Sequence, residues 1–96
     1  MRVLITGRQG FVGTETTKLL IKQGADVIGY DLMDGYDIRD AIQLESVIAQ
    51  RPDRILHLAA IARFSDADAN PRLAFETNVL GTLNVSRIAG KYHIPV

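Results

Sequence analysis

The sequence predicts an α/β fold with a mostly parallel sheet, and two observations indicate it. Apolar strand-like runs alternate with helical patterns, in the order strand, helix, strand, strand, helix, strand, helix. The first strand and the first helix are joined by a glycine-rich turn over residues 6–13 (TGRQGFVG). The right-handed crossover rule for parallel strands then predicts the spatial strand order 3-2-1-4.

The first strand and the first helix are predicted from their apolar patterns. Residues 2–6 predict the first strand, and Val3, Leu4 and Ile5 are apolar at consecutive positions, as is typical of a strand that is covered on both faces. The helix after the turn continues to about Lys22 and is expected to be closed by Gly24. The positions that are expected to face the sheet repeat with the helical period, at Val12, Thr16, Leu19 and Leu20.

Three glycines give the turn its expected function. Gly7, Gly10 and Gly13 leave the backbone open where a side chain would block a close approach. The first N–H groups of the helix have no partner within it, and the helix dipole adds about half a positive charge there. A pyrophosphate fits such a turn. The spacing G-x-x-G-x-x-G differs from the commoner G-x-G-x-x-G, so an ordinary tight connection remains an alternative.

A second strand and an acidic residue favour a particular dinucleotide. Residues 26–30 predict the strand, and Asp31 follows it, 18 residues after Gly13. A carboxylate at this place accepts hydrogen bonds from both ribose hydroxyls and repels a 2′-phosphate, so Asp31 favours NAD over NADP. Arg8 opposes this preference, because a guanidinium within the glycine turn can bind a phosphate bidentately.

The next segment predicts a turn, a short strand and a helix. Residues 32–35 have turn composition, and residues 36–39 are long enough only for a small third strand. Asp40 and Gln43 have the spacing of a capping box, in which each side chain caps the backbone of the other. We therefore predict a helix that begins after Asp40 and ends at Pro52.

The last part of the chain predicts a strand and a long helix. The fourth strand is expected over residues 54–60, and the small residues at its carboxyl end allow a ligand to approach. Residues 61–70 fit either a loop or a short helical turn. Asn70 is the expected N-cap of the last helix, which ends just before Gly90. Within this helix Gly81 costs about 1 kcal/mol relative to alanine, which predicts a packing role.

Composition excludes several kinds of partner. The chain has 11 Lys and Arg and 11 Asp and Glu, so we expect no surface for nucleic acid or for membranes. It has no cysteine, and His57 and His93 are too far apart for a metal-ligand spacing. No apolar run approaches the ~18 residues of a membrane span, and the first strand starts almost at once. We therefore expect a cytoplasmic protein that binds small molecules.

Five short pieces, in order, cover most of the chain. They are the glycine turn with Phe11, then Asp31, residues 37–40 (DIRD), residues 57–60 (HLAA) and residues 78–84 (NVLGTLN). Together they resemble the N-terminal part of the NAD-dependent epimerase/dehydratase group of the extended short-chain dehydrogenase/reductases, which act on nucleotide sugars. The resemblance implies a Rossmann-like, partial doubly wound parallel sheet that binds NAD.

The resemblance also implies which residues bind the dinucleotide. They are Gly7, Arg8, Gly10, Phe11, Val12, Gly13, Asp31, Asp37, Ile38, Leu58, Ala59, Ala60 and Asn78. The glycine turn would hold the pyrophosphate, and Asp31 the adenine-side ribose. Asp37 and Ile38 would flank the adenine. Residues 58–60 would line the path to the nicotinamide ribose, and Asn78 would reach in from the last helix.

Several of these residues have a structural alternative. Phe11 is explained equally by burial as a hydrophobic anchor, and Asp37 by a turn. Residues 58–60 are explained by sheet packing, and Asn78 by a polar side chain that is satisfied inside the helix.

The catalytic pair that the resemblance implies is not found in this sequence. Relatives use a tyrosine with a lysine four residues later. The tyrosines at positions 30, 36 and 92 are followed at that spacing by Asp34, Asp40 and Val96. We therefore expect residues 1–96 to be the NAD-binding half of a domain, truncated before a fifth strand and inactive alone.

Two functions remain open at this point. The chain is either the cofactor-binding portion of a nucleotide-sugar epimerase, dehydratase or reductase, or a structural, self-assembling module without ligand chemistry. If the outer edge of residues 54–60 lacks a neighbouring strand, another copy can pair with it. We therefore expect a homodimer, formed through that edge or by exchange of the last helix.

Overall fold

The computed structural model describes residues 1–61 and 64–96, and a parallel sheet lies at its centre. The strands are β1 (Arg2–Thr6), β2 (Asp26–Tyr30) and β3 (Arg54–His57). Both β2 and β3 pair with β1 in parallel, in the order β2-β1-β3. Leu4 and Ile5 on the central strand are completely buried, which confirms that this strand is covered on both faces.

Helices follow the strands as the α/β pattern predicts. They are α1 (Phe11–Lys22), α2 (Ala41–Ile48), α3 (Phe64–Ala69), α4 (Pro71–Phe75) and α5 (Gly81–Lys91). A 3₁₀ turn (Leu32–Asp34) follows β2, and a π-helical segment (Glu76–Leu80) connects α4 with α5. The predicted last helix is therefore one continuous helical run with a π-helical middle, because its internal junctions keep right-handed helical conformations.

The core lies between the sheet, α2 and α5. Its completely buried members come from all three, and Tyr30 at the end of β2 joins them. The buried cluster is Leu4, Tyr30, Ile38, Leu44, Val47, Ile48, Ile55, Val85, Ile88, Ala89 and Ile94. Gly81 has the packing role that was predicted for it, since a Cβ there would lie 2.6 Å from Cγ2 of Ile38.

The predicted inner face of α1 is wrong at Val12 and Leu19, whereas Thr16 and Leu20 are half-buried as that face requires. Val12 and Leu19 are 58% and 57% exposed, and the buried residues of the helix are Gly13 and Thr17. A Cβ on Gly13 would collide with the carbonyl oxygen of Gly7. The glycine therefore lets this side of the helix approach the turn, and the close approach rotates the larger apolar residues outward.

The predicted third strand is not formed, and the order 3-2-1-4 is correct only for its other three strands. Residues 36–39 form a turn, because side chains bind the backbone groups that a strand would use. The Asp37 N–H donates to Oε1 of Gln43 at 2.9 Å, and the Asp37 carbonyl accepts from the Tyr30 hydroxyl at 2.8 Å. The predicted fourth strand is β3, which ends at His57.

The ends of two helices show one correct and one wrong glycine prediction. Gly24, with φ +88, closes α1 in the left-handed conformation, as predicted. Gly90, by contrast, is helical, and α5 continues to Lys91. His93 takes the closing position with φ +56, where its N–H donates to the Gly90 carbonyl and that of Ile94 to Ala89.

The segment over residues 61–70 contains the short helix α3, which was one of the two predicted alternatives. Residues 62 and 63 lie outside the described residues. Asn70 caps the following helix as predicted, since its side chain accepts from the Leu73 N–H at 3.1 Å. In the described part of the chain, no helix is long and apolar enough to cross a membrane.

Candidate functional site

A cleft of about 280 Å³ opens at the carboxyl ends of the strands. Four segments line it: the glycine turn, the segment after β2, the segment after β3, and the helical run that contains Leu73 and Thr77. The lining residues predicted from the sequence are Gly7, Gly10, Asp31, Asp37, Ile38, Leu58, Ala59 and Ala60. Five further predicted residues lie outside the lining, namely Arg8, Phe11, Val12, Gly13 and Asn78. Open α/β sheets bind ligands at this edge.

The glycine turn is held by backbone contacts. Gly7 has φ +70, and its N–H donates to the Tyr30 carbonyl at 2.9 Å. A Cβ on Gly7 would lie 2.8 Å from the backbone nitrogen of Ala59. Gly10 is the N-cap of α1 and has no capping side chain, so the first N–H groups of this helix remain available to an anion.

Phe11 and Val12 project from the start of α1 into solvent. They are 92% and 58% exposed. The alternative of Phe11 as a buried anchor is therefore wrong. Their expected contact with a dinucleotide stays a prediction.

Asp31 joins the end of β2 to the glycine turn. Its Oδ2 accepts from the Gln9 N–H and its Oδ1 from the Met33 N–H, both at 2.9 Å. The side chain is buried to nine-tenths. Each carboxylate oxygen can accept a further hydrogen bond, so a ribose is compatible with both contacts. The bond to Gln9 was not foreseen from the sequence.

Arg8 crosses β2 at Gly29. A Cβ on Gly29 would collide with Cδ of the Arg8 side chain, so the glycine provides the space for this arginine. Asp31 follows Gly29 by two residues in extended backbone and therefore lies on the same side of the strand. Within the described residues, the hydrogen-bond partners of the Asp31 carboxylate are the backbone N–H groups of Gln9 and Met33, so Arg8 does not occupy it.

Asp37 is already paired with Arg39. Its carboxylate accepts from the Arg39 N–H at 2.9 Å, from Nε at 3.1 Å and from Nη2 at 2.8 Å. These hydrogen bonds to Arg39 hold the pKa of the Asp37 carboxyl below its usual value. Asp37 is thus a turn residue, as the structural alternative predicts, and it also lines the cleft.

Gln43 and Tyr30 shape the turn around Asp37. The Gln43 amide accepts from the Asp37 N–H at 2.9 Å and donates to the Gly35 carbonyl at 2.9 Å. Tyr30 is completely buried, and its hydroxyl also contacts Oε1 of Gln43 at 3.2 Å. Burial, with the nearby Asp40 and Asp37, raises the pKa of Tyr30. A neutral hydroxyl therefore supports this turn.

The predicted capping box is half correct. Oδ1 of Asp40 accepts from the Gln43 N–H at 3.0 Å, so Asp40 caps α2. The Gln43 side chain binds the backbone of Gly35 and Asp37 and not that of Asp40. The S/T/D-x-x-Q pattern is the sequence signal for both arrangements. It does not show whether the glutamine binds the N-cap backbone or the turn before it.

The backbone of residues 58–60 forms the third side of the cleft. Oγ1 of Thr6 accepts from the N–H groups of Leu58 and Ala59, at 3.0 and 3.1 Å. The same hydroxyl lies 2.7 Å from Nδ1 of His57. His57 is half-buried, and burial lowers its pKa. Thr6 and His57 were not foreseen as supports of this segment.

Asn78 binds the chain that leaves the cleft. Its Oδ1 accepts from the Ile61 N–H at 2.7 Å, and its Nδ2 donates to the Ile61 carbonyl at 2.9 Å. The side chain is therefore satisfied by this loop and not inside its own helix. Ile61 itself lines the cleft, so Asn78 positions a lining residue.

The sequence matches a known protein family over almost its whole length. The model of the NAD dependent epimerase/dehydratase family matches residues 3–96. The chain belongs to this family. Family membership confirms the resemblance and the α/β fold that were predicted from the sequence.

Curated relatives of the family are similar over nearly the whole chain. A D-erythronate dehydrogenase from Haemophilus influenzae is 34% identical over 95% of the chain and 34% of its own length. A bifunctional UDP-glucose 4-epimerase and UDP-xylose 4-epimerase from Arabidopsis thaliana is 27% identical over 95% of the chain and 33% of its own length. The chain thus spans about a third of the length of these relatives.

Solved structures of epimerase-like proteins have the same arrangement. UDP-glucose 4-epimerase from Thermus thermophilus, in complex with NAD, superimposes with a TM-score of 0.90 at 31% identity, over 98% of this chain and 35% of that one. dTDP-4-dehydrorhamnose reductase from Bacillus anthracis, in complex with NADP, gives 0.87 at 29% identity, over 97% and 33%. Relatives with this fold therefore include complexes with either dinucleotide.

Proposed function

We propose that the chain is the dinucleotide-binding portion of an enzyme that acts on nucleotide sugars, and that residues 1–96 form this Rossmann half-domain. One observation carries the proposal: the glycine turn, Asp31 and residues 58–60 meet at one cleft, at the carboxyl edge of a parallel sheet. Membership in the NAD dependent epimerase/dehydratase family supports a nicotinamide dinucleotide as the ligand. Such a cofactor supplies hydride transfer when it is bound.

The phosphates are proposed to lie against the glycine turn. Gly10 lines the cleft at the uncapped N-terminus of α1, where backbone N–H groups and the helix dipole favour an anion. Gly7 and Gly13 keep this turn close to β3 and to its own helix. Phe11 and Val12, both exposed at the helix start, are proposed to contact the ligand from outside the cleft.

The adenosine is proposed to lie between β2 and the turn after it. Asp31 binds the ribose hydroxyls with the lone pairs that Gln9 and Met33 leave free. Asp37 and Ile38 flank the adenine. Because Arg39 already donates to both oxygens of the Asp37 carboxylate, the adenine amine would share this acceptor and not displace its partner.

The nicotinamide ribose is proposed to lie along residues 58–60, where the small side chains of Ala59 and Ala60 leave the backbone accessible. Asn78 contributes by fixing Ile61, the next residue along the cleft. The pair of hydrogen bonds from one amide to one residue holds that backbone as a neighbouring strand would.

NAD is proposed as the preferred dinucleotide, because the buried Asp31 carboxylate repels a 2′-phosphate. Arg8 lies on the same side of β2 and favours NADP, because its guanidinium can bind the 2′-phosphate. The Arg8→Gln variant should therefore weaken NADP binding at least about threefold and leave NAD binding unchanged. Arg87→Gln removes an equal charge from the exposed face of α5 and serves as the control. Tighter binding of NADP than of NAD by the wild-type chain would contradict the preference.

The decisive experiment places a carboxylate in the proposed phosphate site. Gly10 has φ −72 and ψ 174, which any residue adopts, and aspartate is a favoured N-cap. Gly10→Asp should leave the melting temperature close to that of the wild type, because the favourable cap offsets the 3.2 Å approach of its Cβ to the Gly7 carbonyl oxygen. It should weaken NAD binding at least tenfold in calorimetry, since the new charge occupies the anion site. Gly10→Asn has the same size without the charge and should weaken binding less. Equal NAD affinity of Gly10→Asp and wild type would contradict the phosphate site.

The same titration tests the alternative function. A chain that unfolds cooperatively but shows no saturable NAD binding up to millimolar concentrations would be a structural module.

The assembly of the chain into dimers is a separate proposal. The edge of β3 is only partly open, because the Ile55 N–H donates to the Pro95 carbonyl at 2.9 Å. We propose a homodimer through the remaining edge or the last helix, and a monomer mass in light scattering would contradict it.

The isolated chain is proposed to bind without turnover, because no tyrosine in the sequence has a lysine four residues later. Incubation with NAD and UDP-sugars should give no protein-dependent NADH. Formation of NADH that persists through a second purification would contradict this. The cytoplasmic location stays a prediction.

A further inference from the structure

A line of hydrogen bonds joins β1 to α5 through His57. Nδ1 of the ring lies 2.7 Å from Oγ1 of Thr6, the last residue of β1. Nε2 lies 2.9 Å from Oγ1 of Thr82 in the first turn of α5. The imidazole therefore connects two hydroxyl groups on separate elements.

The hydroxyl of Thr6 determines which ring nitrogen carries a proton. Its oxygen accepts from the N–H groups of Leu58 and Ala59, at 3.0 and 3.1 Å. A hydroxyl oxygen has two lone pairs, and both are used here, with the Leu58 N–H shared between this hydroxyl and the Thr6 carbonyl, which lies 3.1 Å from it. The third contact must therefore be the Thr6 O–H, which donates to Nδ1 of His57. Nδ1 is then without a proton.

The other end of the line requires the same tautomer. The Thr82 hydroxyl donates to the Asn78 carbonyl at 2.6 Å, so its oxygen is free to accept. Nε2 of His57 is then the donor, at 2.9 Å. Each ring nitrogen thus has one role, and both roles belong to the neutral imidazole with its proton on Nε2.

Protonation of Nδ1 would break this arrangement. A third N–H would then point at the Thr6 oxygen, which already accepts from Leu58 and Ala59. These two residues form the peptide that lies against Gly7, where a Cβ would be 2.8 Å from the Ala59 nitrogen. The groups that face the ring are the hydroxyls of Thr6 and Thr82, and in the described chain burial alone shifts the pKa of His57, downward.

We propose that neutral His57 is a positioning residue that fixes the Leu58–Ala59 peptide against Gly7, and that its protonation loosens this side of the cleft and weakens dinucleotide binding. The part on binding rests on the proposed function. The part on the tautomer and on the peptide depends on the chain alone.

The proposal fixes the sign of the pH dependence. The histidine pKa in the unfolded chain is about 6.5, and that in the folded chain is lower. The unfolded chain therefore binds more protons just below that pH, and stability rises with pH there. The contribution of His57 is complete above about pH 6.5 and is lost as the pH falls toward the folded pKa. Each unit between the two pKa values changes the unfolding constant about tenfold.

NMR of the imidazole nitrogens tests the tautomer directly. The exposed His93 has φ +56, a conformation that asparagine tolerates, so His93→Asn leaves His57 as the single histidine. In ¹⁵N-labelled His93→Asn, Nε2 should be protonated and Nδ1 unprotonated at pH 8, with a pKa below about 6.5. A proton on Nδ1, or a pKa at or above that value, would overturn the proposal.

Two substitutions at His57 separate its position from its charge. The Oδ1 of asparagine can accept from Thr6 as Nδ1 does, but asparagine does not titrate. In the His93→Asn background, His57→Asn should bind NAD within about twofold of the parent at pH 8 and lose the pH dependence. His57→Leu should bind at least about fivefold more weakly at every pH, because Thr6 loses its acceptor. Proper folding of each variant is checked by its cooperative urea unfolding.

The parent itself should bind NAD more weakly as the pH falls below the folded pKa of His57 that the NMR titration gives, by up to about tenfold for each pH unit. An equal pH dependence in His57→Asn would assign the effect to another group and overturn the proposal. If no variant binds NAD at any pH, the proposed function fails. The NMR titration and the pH dependence of unfolding then still decide whether His57 holds the peptide.

Discussion

The two turns that frame the cleft are built in opposite ways. The glycine turn over residues 6–13 has its shape because side chains are missing: added Cβ atoms at Gly7 and Gly13 would strike backbone atoms. The turn after β2, over residues 31–40, has its shape because side chains are present. There the side chains of Asp31, Asp37 and Gln43 bind backbone N–H groups.

This difference decides what a sequence can predict. A missing Cβ acts locally, so glycine spacing alone was enough to place the turn and the start of α1. The amide of Gln43 binds residues six and eight positions earlier, and that choice depends on the tertiary position of Tyr30. The predicted strand over residues 36–39 is wrong for this reason, since local composition does not reveal which side chain will bind the backbone.

The largest effect is expected for Gly13→Ala. The new Cβ would meet the Gly7 carbonyl, which belongs to the backbone and cannot move aside without distorting the turn. The free energy of unfolding should fall by about 3 kcal/mol. Urea unfolding followed by circular dichroism measures it, with a lower midpoint at an unchanged slope.

Gly90→Ala is the matched control for this change. Gly90 is also helical, but a Cβ there would have nothing within 4 Å. Its free energy of unfolding should rise by about 0.5–1 kcal/mol, the usual preference of helices for alanine. If Gly13→Ala and Gly90→Ala unfold at the same urea concentration, the glycine turn is not maintained by close backbone approach.

The second effect, of intermediate size, is expected for Gln43→Met. Methionine has a similar length and helix propensity but cannot bind the Asp37 N–H or the Gly35 carbonyl. We expect a loss of about 1–2 kcal/mol in the free energy of unfolding. Binding of AMP, which tests the adenosine side alone, should weaken more than binding of nicotinamide mononucleotide.

Ser46→Ala provides the control on the same helix. It removes one exposed hydrogen bond, from Oγ to the Gln43 carbonyl, and should change stability by less than about 0.5 kcal/mol. Equal losses of unfolding free energy in Gln43→Met and Ser46→Ala would mean that the turn after β2 does not depend on the hydrogen bonds of the Gln43 amide.

The helix ends extend the same comparison. Gly24 was predicted to close α1 and does so, because its left-handed conformation suits glycine. Gly90 was predicted to close α5, but the chain continues for one more residue and His93 takes that conformation. Ile94 explains the difference. It is buried in the core, so tertiary packing places the left-handed residue at His93, three residues beyond Gly90.

The features of the candidate site also divide into those that local sequence predicts and those that depend on the tertiary fold. Parallel order and the glycine turn were predictable, because both follow from local apolar runs and from glycine. The supports of the site were not. Thr6 and Asn78 bind backbone groups, and His57 contacts the Thr6 hydroxyl, and these partners come near only in the folded chain. Asp31 lies between these cases, since its position was predictable but its bond to Gln9 was not.

The smallest effect is expected for Arg39→Gln. The side chains of Arg39 and Asp37 are 37% and 29% exposed, so their ion pair should contribute less than about 1 kcal/mol to the free energy of unfolding. Hydrogen bonding to Arg39 lowers the pKa of Asp37. The pair therefore stabilises the fold at neutral pH, and this contribution is lost as the pH falls below about 4, toward the folded pKa.

In Arg39→Gln the pKa of Asp37 should rise toward its usual value, which a carboxyl NMR titration measures. Arg72→Gln is the control, because Arg72 is 89% exposed and pairs only loosely with Glu76, at 3.9 Å. It should leave the Asp37 titration unchanged. A larger loss of stability in Arg39→Gln than in Gln43→Met would reverse the order expected for this turn. The ion pair, and not the amide of Gln43, would then be the main contact that gives the turn after β2 its shape.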